Sequence, residues 1–298
     1  MTGKRMSFAI FGNDYKALEP VQIREVTDYL TERNAEIYIE QLFYRALRKV
    51  FSGNLNIAGT FDGVNFDVDF AISMGGDGTF LQAASKVGAK ETPIIGVNMG
   101  RLGFLANVSP TEIREMLDDI YKGNFSIDER SVIQMELEGE PVASNPYALN
   151  DIAILKRDNA SMISIRASLD GEYLVTYLAD GLVVSTPTGS TAYSLSNGGP
   201  ILVPHTGTIS LTPVAPHSLN IRPIVVSDDV VIRLEVESRS HNYLVAVDGR
   251  SGKLREGTVV VIRKAPFKVR IVKCRGYHYF ATLRDKLMWG ADTRERED

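Results

Sequence analysis

The chain is 298 residues long, 44% hydrophobic, and carries a formal net charge of −4 with acids and bases mixed along its length. That length holds two modest domains or one large one, and the lack of a basic stripe sets nucleic acid aside as a partner. A lone cysteine, Cys274, offers neither a disulfide framework nor a cysteine metal site and favours a reducing compartment. The apolar run behind Lys4 and Arg5 is too short for a signal-peptide core, and no later stretch approaches a membrane span; a soluble, cytoplasmic protein with no membrane partner is expected.

In chain order, Ser7 to Gly12 reads as a short buried strand closing on a glycine turn. Pro20 stands at a first helical position and opens a segment with Ile23, Val26 and Leu30 on one face. Glu36 to Ile39 predicts a strand and Leu42 to Val50 a second helix. Val68 to Met74 is almost continuously apolar, the pattern of a strand covered on both faces, and a glycine cluster and a helix from Phe80 to Val87 follow it. Pro93 to Val97 repeats the strand ahead of a loop with Gly100 and Gly103. This alternation predicts an α/β, Rossmann-like N-terminal domain over 1–126.

Near Phe125 the texture changes. Strands are predicted at Val132–Leu137, Ala148–Leu155, Ile163–Leu169 and Tyr173–Val184, with Asp170-Gly171 as a hairpin turn. Further runs at Ile224–Val226, Val230–Val236, Leu244–Val247, Val259–Ile262 and Phe267–Val272, with one helix at Ala192–Asn197, make 127–275 an all-β, sandwich-like C-terminal domain. Tyr279 to Trp289 reads as a helix within a 276–298 segment expected to pack back on the first domain, ahead of a charged tail from Asp292 to Asp298.

The most informative segment is Gly75-Gly76-Asp77-Gly78-Thr79, between a buried strand and a helix. Glycines let a ligand approach the backbone, and the amides and dipole of a helix start favour phosphate. No Gly-Lys-Ser/Thr follows, so this is not a Walker A loop, and it is not the G-x-G-x-x-G fingerprint. A carboxylate inside a phosphate cradle would repel the ligand unless it has a task, such as accepting a hydroxyl proton or touching a metal. The alternative is a tight turn whose Asp77 caps the next helix, and the five residues alone leave both readings open. The run Gly189-Ser190-Thr191-Ala192 breaks the G-x-S-x-G nucleophile elbow, and Ser190 or Thr191 is open to a plain N-cap reading. The four histidines lie far apart with no metal-ligand spacing, so no protein metal site is expected.

Gly75 to Thr79 resembles the signature of a kinase superfamily that includes NAD kinases, diacylglycerol kinases and sphingosine kinases. Three further segments narrow the resemblance. Asn98-Met99-Gly100-Arg101-Leu102-Gly103-Phe104-Leu105 resembles the glycine loop of NAD kinases, and Asn150-Asp151 falls where that family has an Asn-acid pair. Thr186-Pro187-Thr188-Gly189-Ser190-Thr191-Ala192-Tyr193-Ser194-Leu195-Ser196, followed by Gly198-Gly199-Pro200-Ile201, is similar to the family's longest motif. In order and rough spacing, these segments make the chain resemble the bacterial NAD kinases.

The resemblance implies transfer of the γ-phosphoryl of ATP, or of another phosphoryl donor, to the 2′-hydroxyl of NAD's adenosine ribose. It implies Asp77 as the catalytic proton acceptor. NAD contacts would come from Asp77, Gly78, Phe104, Asn150, Asp151, Asp180, Thr191, Ala192, Tyr193, Ser194, Leu195 and Ser196. Gly75, Gly76, Gly78, Thr79 and Arg101 would hold the ATP phosphates, although Arg101 also reads as a solvated loop residue. Core packing for Phe104, a polar kink for Asn150-Asp151 and a β-turn for Asp180-Gly181 stay open beside these roles. Mg²⁺ would enter with ATP, without a tightly bound organic cofactor, and a homo-oligomer, dimer or tetramer, is implied. Asp151 stands where the family commonly has Glu, Arg250 where many relatives have Gln, and Leu178 where some carry Arg. A lipid kinase would need a route onto membranes, and the sequence offers no cationic amphipathic helix. A non-catalytic NAD(P) sensor would have little use for Asp77 beside phosphates.

Overall fold

The apolar runs of the first half become parallel strands: β1 (Ser7–Gly12), β2 (Glu36–Glu40), β3 (Gly59–Phe61), β4 (Phe70–Gly75) and β5 (Ile94–Asn98). They pair in the order β3-β2-β1-β4-β5, each pair parallel. Helices α1 (Pro20–Glu32), α2 (Gln41–Val50), α3 (Asp77–Val87) and α4 (Ile113–Lys122) connect or follow them. Ile10, Ile37, Ile39 and Ile72 pack with Ile23, Val26 and Leu30 of α1 and Met116, Leu117 and Ile120 of α4 into one apolar core. The computed structural model describes residues 5–13, 20–51, 55–100, 103–142, 144–157, 161–273 and 278–288. Two units are distinct, 1–128 with 270–298 and 129–269.

Strand β6 (Ser126–Leu137) carries the chain into the second unit. There β7 (Tyr147–Ala148), β8 (Asp151–Lys156), β9 (Ile163–Leu169), β10 (Glu172–Ala179) and β11 (Gly181–Ser185) precede the short α5 (Tyr193–Ser196). After it come β12 (Thr208–Val214), β13 (Ile224–Ser227), β14 (Ile232–Glu237), β15 (Asn242–Val247), β16 (Arg250–Arg255) and β17 (Val260–Lys273). One antiparallel sheet runs β13-β12-β11-β8-β15-β16, and a second ladder runs β10-β9-β14-β17. Alternate residues of both, including Ile152, Ile154, Leu182 and Val245 with Ile163, Ile165, Leu234 and Ile262, form the second core, the sandwich logic of facing apolar surfaces. In the last residues of β17 the chain returns to the first unit, where Ile271 pairs in parallel with Ile94 of β5, and α6 (Tyr279–Leu287) follows.

The α/β half and the β-rich half are the ones expected, and several elements differ in detail. Helix α4 was not expected, yet its signals are present. Ahead of the helix Glu112 Oε2 accepts the Ser109 N–H at 3.0 Å, Ile113, Met116, Leu117 and Ile120 share one buried face, and Gly123 closes the helix at φ 72°. The run Tyr173–Val184 breaks at Asp180, because β10 and β11 belong to different sheets. Gly181 makes that crossing possible, since a Cβ there would sit 2.3 Å from the Ile154 carbonyl oxygen. Strand β12 hides behind Ser210, Thr212 and Pro213: Ser210 and Thr212 are fully buried, so the alternation that betrays a half-solvated strand is missing. Val259–Ile262 and Phe267–Val272 are one continuous strand through Pro266. Among the described residues, no helix is long and apolar enough to cross a membrane.

Candidate active site

In the first unit, the chemistry gathers where β4 turns into α3. The boundary between β1 and β4 is where the strand order reverses, and β4 ends there with Gly75 beside Asn98; open parallel sheets bind ligands at that edge. Gly76 precedes α3 and Asp77 is its first residue, so the amides of Asp77 and Gly78 lack carbonyl partners within the helix, while the Thr79 N–H donates to the Gly76 carbonyl at 3.0 Å. A Cβ on Gly75 would meet Thr79 Oγ1 at 2.2 Å, and packing inside the turn accounts for that glycine. Gly76 and Gly78 are different: among the described residues a Cβ there would meet nothing within 4 Å, and neither has positive φ. At the end of β1, Asn13 Nδ2 donates to Thr79 Oγ1 at 3.1 Å.

Asp77 does not cap α3, which has no side-chain cap bond. Its carboxylate instead accepts the N–H of Phe104 at 2.9 Å on Oδ2 and the N–H groups of Leu105 and Ala106 at 3.0 Å on Oδ1. Bonds of this charge-assisted kind are worth about 1.5–3 kcal/mol each. Three of them aim one partly buried carboxylate. Gly103 makes the arrangement possible, since a Cβ there would fall 2.0 Å from Asp77 Oδ1. Phe104 is half-buried and meets Asp77 through its backbone. Arg101 lies outside the described residues.

In the second unit, a further carboxylate organises the expected Asn-acid pair. Asp248 Oδ2 accepts the N–H of Leu149 at 2.8 Å, and Oδ1 accepts those of Asn150 at 2.8 Å and Asp151 at 3.1 Å. Asp248-Gly249 is the two-residue turn between β15 and β16, with φ of 46° and 77°, the primed hairpin geometry that Asp-Gly favours. Asp248 was not among the expected site residues, although Asp-Gly between two short strands marks such a turn in sequence. Arg250, just past it, donates to the Tyr147 carbonyl at 3.1 Å.

Asp151 is 6% exposed, and burial, with the Asp248 charge second, pushes its carboxyl up to about 7. Burial raises Asp248 as well, while its three amide donors pull the other way; Asp248 therefore keeps the charge and Asp151 takes the proton. The fully charged acceptor that the residue type implies is thus only half present in Asp151 near neutrality. The folded chain holds this proton to about pH 7, whereas the unfolded chain gives it up near the ordinary carboxylate value of 3.8. The contribution to stability is whole below that value and is lost as pH rises toward 7, up to about 4 kcal/mol. Asp151→Asn is expected to be more stable than the parent in urea melts near pH 7.5, with the gain vanishing near pH 4. A pH-independent difference between the two proteins would contradict the buried, protonated acid. Beside it, Asn150 Oδ1 is buried without a hydrogen-bond partner among the described residues.

The segment Thr186–Ser196 packs against this cluster. Thr186 N–H donates to the Asn150 carbonyl at 2.9 Å and its hydroxyl to the Leu149 carbonyl. Gly189 is required where it stands, because a Cβ would lie 2.1 Å from the Asn150 carbonyl oxygen. Neither Ser190 nor Thr191 caps a helix: Ser190 Oγ donates to the Pro187 carbonyl, and Thr191 ends a single 3-10 turn. Ser194 is fully buried and bonds the Thr212 hydroxyl at 2.9 Å, so its side chain is a structural element of the turn. Tyr193 and Ser196 face solvent, while Thr191, Ala192 and Leu195 are half-buried. Asp180 is not brought to this cluster. Register pairs Ser185 with Asp151 and Gly181 with Leu155, which puts Asp180 about 13 Å or more along the strand at ~3.3 Å per residue. There it bonds Lys156 Nζ at 2.7 Å, and a cavity of ≈ 680 Å³ lined by Lys156, Leu178, Glu237, Arg239 and His241 lies nearby.

An aimed carboxylate at a glycine-bounded helix start suits phosphate chemistry beside a proton acceptor. Residues 8–125 match the ATP-NAD kinase N-terminal domain and 149–274 the ATP-NAD kinase C-terminal domain. An NAD kinase of Bacteroides fragilis strain YCH46 is 54% identical over 290 residues, covering 97% of this chain and 100% of that one. The crystal structure of an NAD kinase from Archaeoglobus fulgidus in complex with ATP is similar with a TM-score of 0.74 at 26% identity, over 95% of this chain and 99% of that one. Yeast NADH kinase complexed with NADH shares the fold, with a TM-score of 0.87 at 23% identity over 98% and 90% of the two chains. The chain belongs to the NAD kinase family.

Proposed function

We propose that this chain transfers the γ-phosphoryl of ATP to the 2′-hydroxyl of the adenosine ribose of NAD, giving ADP and NADP. The observation that carries the reading is the Asp77 carboxylate held by three loop amides, beside two glycines whose Cβ positions open onto empty space. Among the described residues nothing asks for glycine at Gly76 or Gly78; a triphosphate lying against their amides does, with Gly75 and Thr79 shaping the same turn. Asp77 accepts the proton of the attacking ribose hydroxyl while positioning and charge neutralisation lower the barrier.

Asn150, with its unpartnered Oδ1, and Asp151 take ribose hydroxyls and base edges. Gly78, Phe104, Asp180, Thr191, Ala192, Tyr193, Ser194, Leu195 and Ser196 complete the acceptor contacts in this reading, Ser194 through its backbone. Mg²⁺ enters as the chelate of the triphosphate, which supplies most of its oxygen ligands; among the described residues, no group of three or more His, Cys, Asp or Glu is placed to cage a metal. The reading places the enzyme in the cytoplasm as a homo-oligomer, dimer or tetramer. NADP formation from ATP, Mg²⁺ and NAD by the purified chain is the test, and no NADP above a protein-free control would sink it.

Gly103→Ala tests the positioning of Asp77. The added methyl overlaps Oδ1 and drives the carboxylate off its amides, and displacement on the scale of 1 Å costs about 10²-fold in turnover. The expected result is a kcat reduced by about that factor in a folded protein, with a smaller change in KM for NAD. Parent-like turnover would show that Asp77 does not depend on this loop.

A further inference from the structure

Arg130 lies in β6 and is only 5% exposed, an expensive place for a guanidinium unless its donors are used. Its Nη1 donates to Thr188 Oγ1 at 3.2 Å, and Thr188 is itself 8% exposed. The turn containing Thr188 is otherwise tied to itself and its immediate neighbours. Gly189 N–H donates to Thr186 Oγ1 at 3.2 Å, Ser190 Oγ to the Pro187 carbonyl at 2.7 Å, and Leu202 N–H to Ser190 Oγ at 2.9 Å. Thr186 is bonded to Leu149 and Asn150. Thr188 is where a charged side chain from a separate strand enters this closed set of bonds. Three residues on, Thr191 begins the stretch through Ser196.

We propose that Arg130 is a positioning residue for the acceptor substrate, fixing the 186–191 turn through Thr188 so that Thr191 to Ser196 are presented in NAD-binding geometry. The proposal rests on the function given above and extends it to a residue with no place in the expected site. Arg130 acts through Thr188 and touches no substrate. A lysine has one ammonium in place of the planar fork and does not substitute for it.

Steady-state kinetics on four variants decide it. Arg130→Met and Thr188→Val both remove the charge-assisted Arg130–Thr188 hydrogen bond, and its loss is expected to raise KM for NAD by about ten- to a hundredfold. KM for ATP should stay where it is in the parent. Arg130→Lys should behave like Arg130→Met, while Thr188→Ser, which keeps the hydroxyl, should restore parent values. The double variant Arg130→Met/Thr188→Val should be no worse than Arg130→Met alone, because that variant has already lost the Thr188 contact. Should Arg130→Met fail to fold, the Val and Ser variants at Thr188 still separate the outcomes. Unchanged KM for NAD in folded Thr188→Val would overturn the proposal, as would a parallel rise in both KM values or additive effects in the double variant. A parent chain that makes no NADP overturns the function itself and this proposal with it; a parent active on NAD with variants of equal KM overturns only the proposal.

Discussion

Asp77→Asn is expected to lower kcat for NADP formation by about 10²–10⁴-fold, the usual cost of losing a positioned general base, while KM for NAD stays near the parent value. The substitution is close to isosteric. Its carbonyl oxygen can still accept the N–H groups of Leu105 and Ala106, which share Oδ1, but its NH₂ then faces the N–H of Phe104 that Oδ2 accepted. One lost bond costs about 1–3 kcal/mol of stability, which leaves the protein folded and makes the kinetic loss readable. Circular dichroism and a thermal melt establish the fold, and initial rates with saturating ATP and Mg²⁺ establish kcat. Near-normal turnover in a folded Asp77→Asn protein would leave Asp77 as a clasp for the 103–106 loop and nothing more.

The second large effect belongs to Asp248, and here stability should move first. Asp248→Ala removes the acceptor of three part-buried N–H groups, from Leu149, Asn150 and Asp151, at about 1–3 kcal/mol for each donor left without a partner. Part of that is returned, because Asp151 loses the like charge that helps raise its carboxyl. A net loss of several kcal/mol is expected, and each kcal/mol lowers Tm by about 2–4 °C in a protein of this class of size. Asp248→Asn should fall between, since one oxygen can still serve Asn150 and Asp151. In the variant that still folds, NAD affinity should drop as well, because the backbone presenting Asn150 and Asp151 is no longer pinned. An Asp248→Ala protein that melts with the parent would show that these amides find other acceptors, and the assignment of Asp248 as organiser of the pair would fail.

Both residues are acids clamped by three successive or near-successive backbone amides, one in each unit. They differ in how visible they were in sequence. Asp77 stands inside a five-residue pattern between an apolar strand and a helix, so its neighbourhood was local and legible. Asp248 acts on residues almost a hundred positions earlier, and only its Asp-Gly turn was a local mark.

What the sequence determined by itself was whatever depends on neighbours along the chain. Continuous apolar runs at Val68–Met74 and Pro93–Val97 marked buried parallel strands, the turn at Asp170-Gly171 marked a hairpin, and the ordered motifs marked the family. Helix α4 and the β15–β16 turn carry local signals of the same kind. Tertiary structure alone decided the rest. The fully buried Ser210 and Thr212 of β12 are tolerated because the sheet surrounds them, which no alternation in the sequence can announce. Asp77 leaving its own helix for the amides of 104–106, Asp151 holding a proton beside Asp248, and Asp180 bonding Lys156 far from Asp151 all depend on which distant segments meet. Buried charge and hydrogen-bond partners are properties of that meeting. Desolvation and the geometry of donors exist only once the chain has excluded water and brought remote backbone into reach.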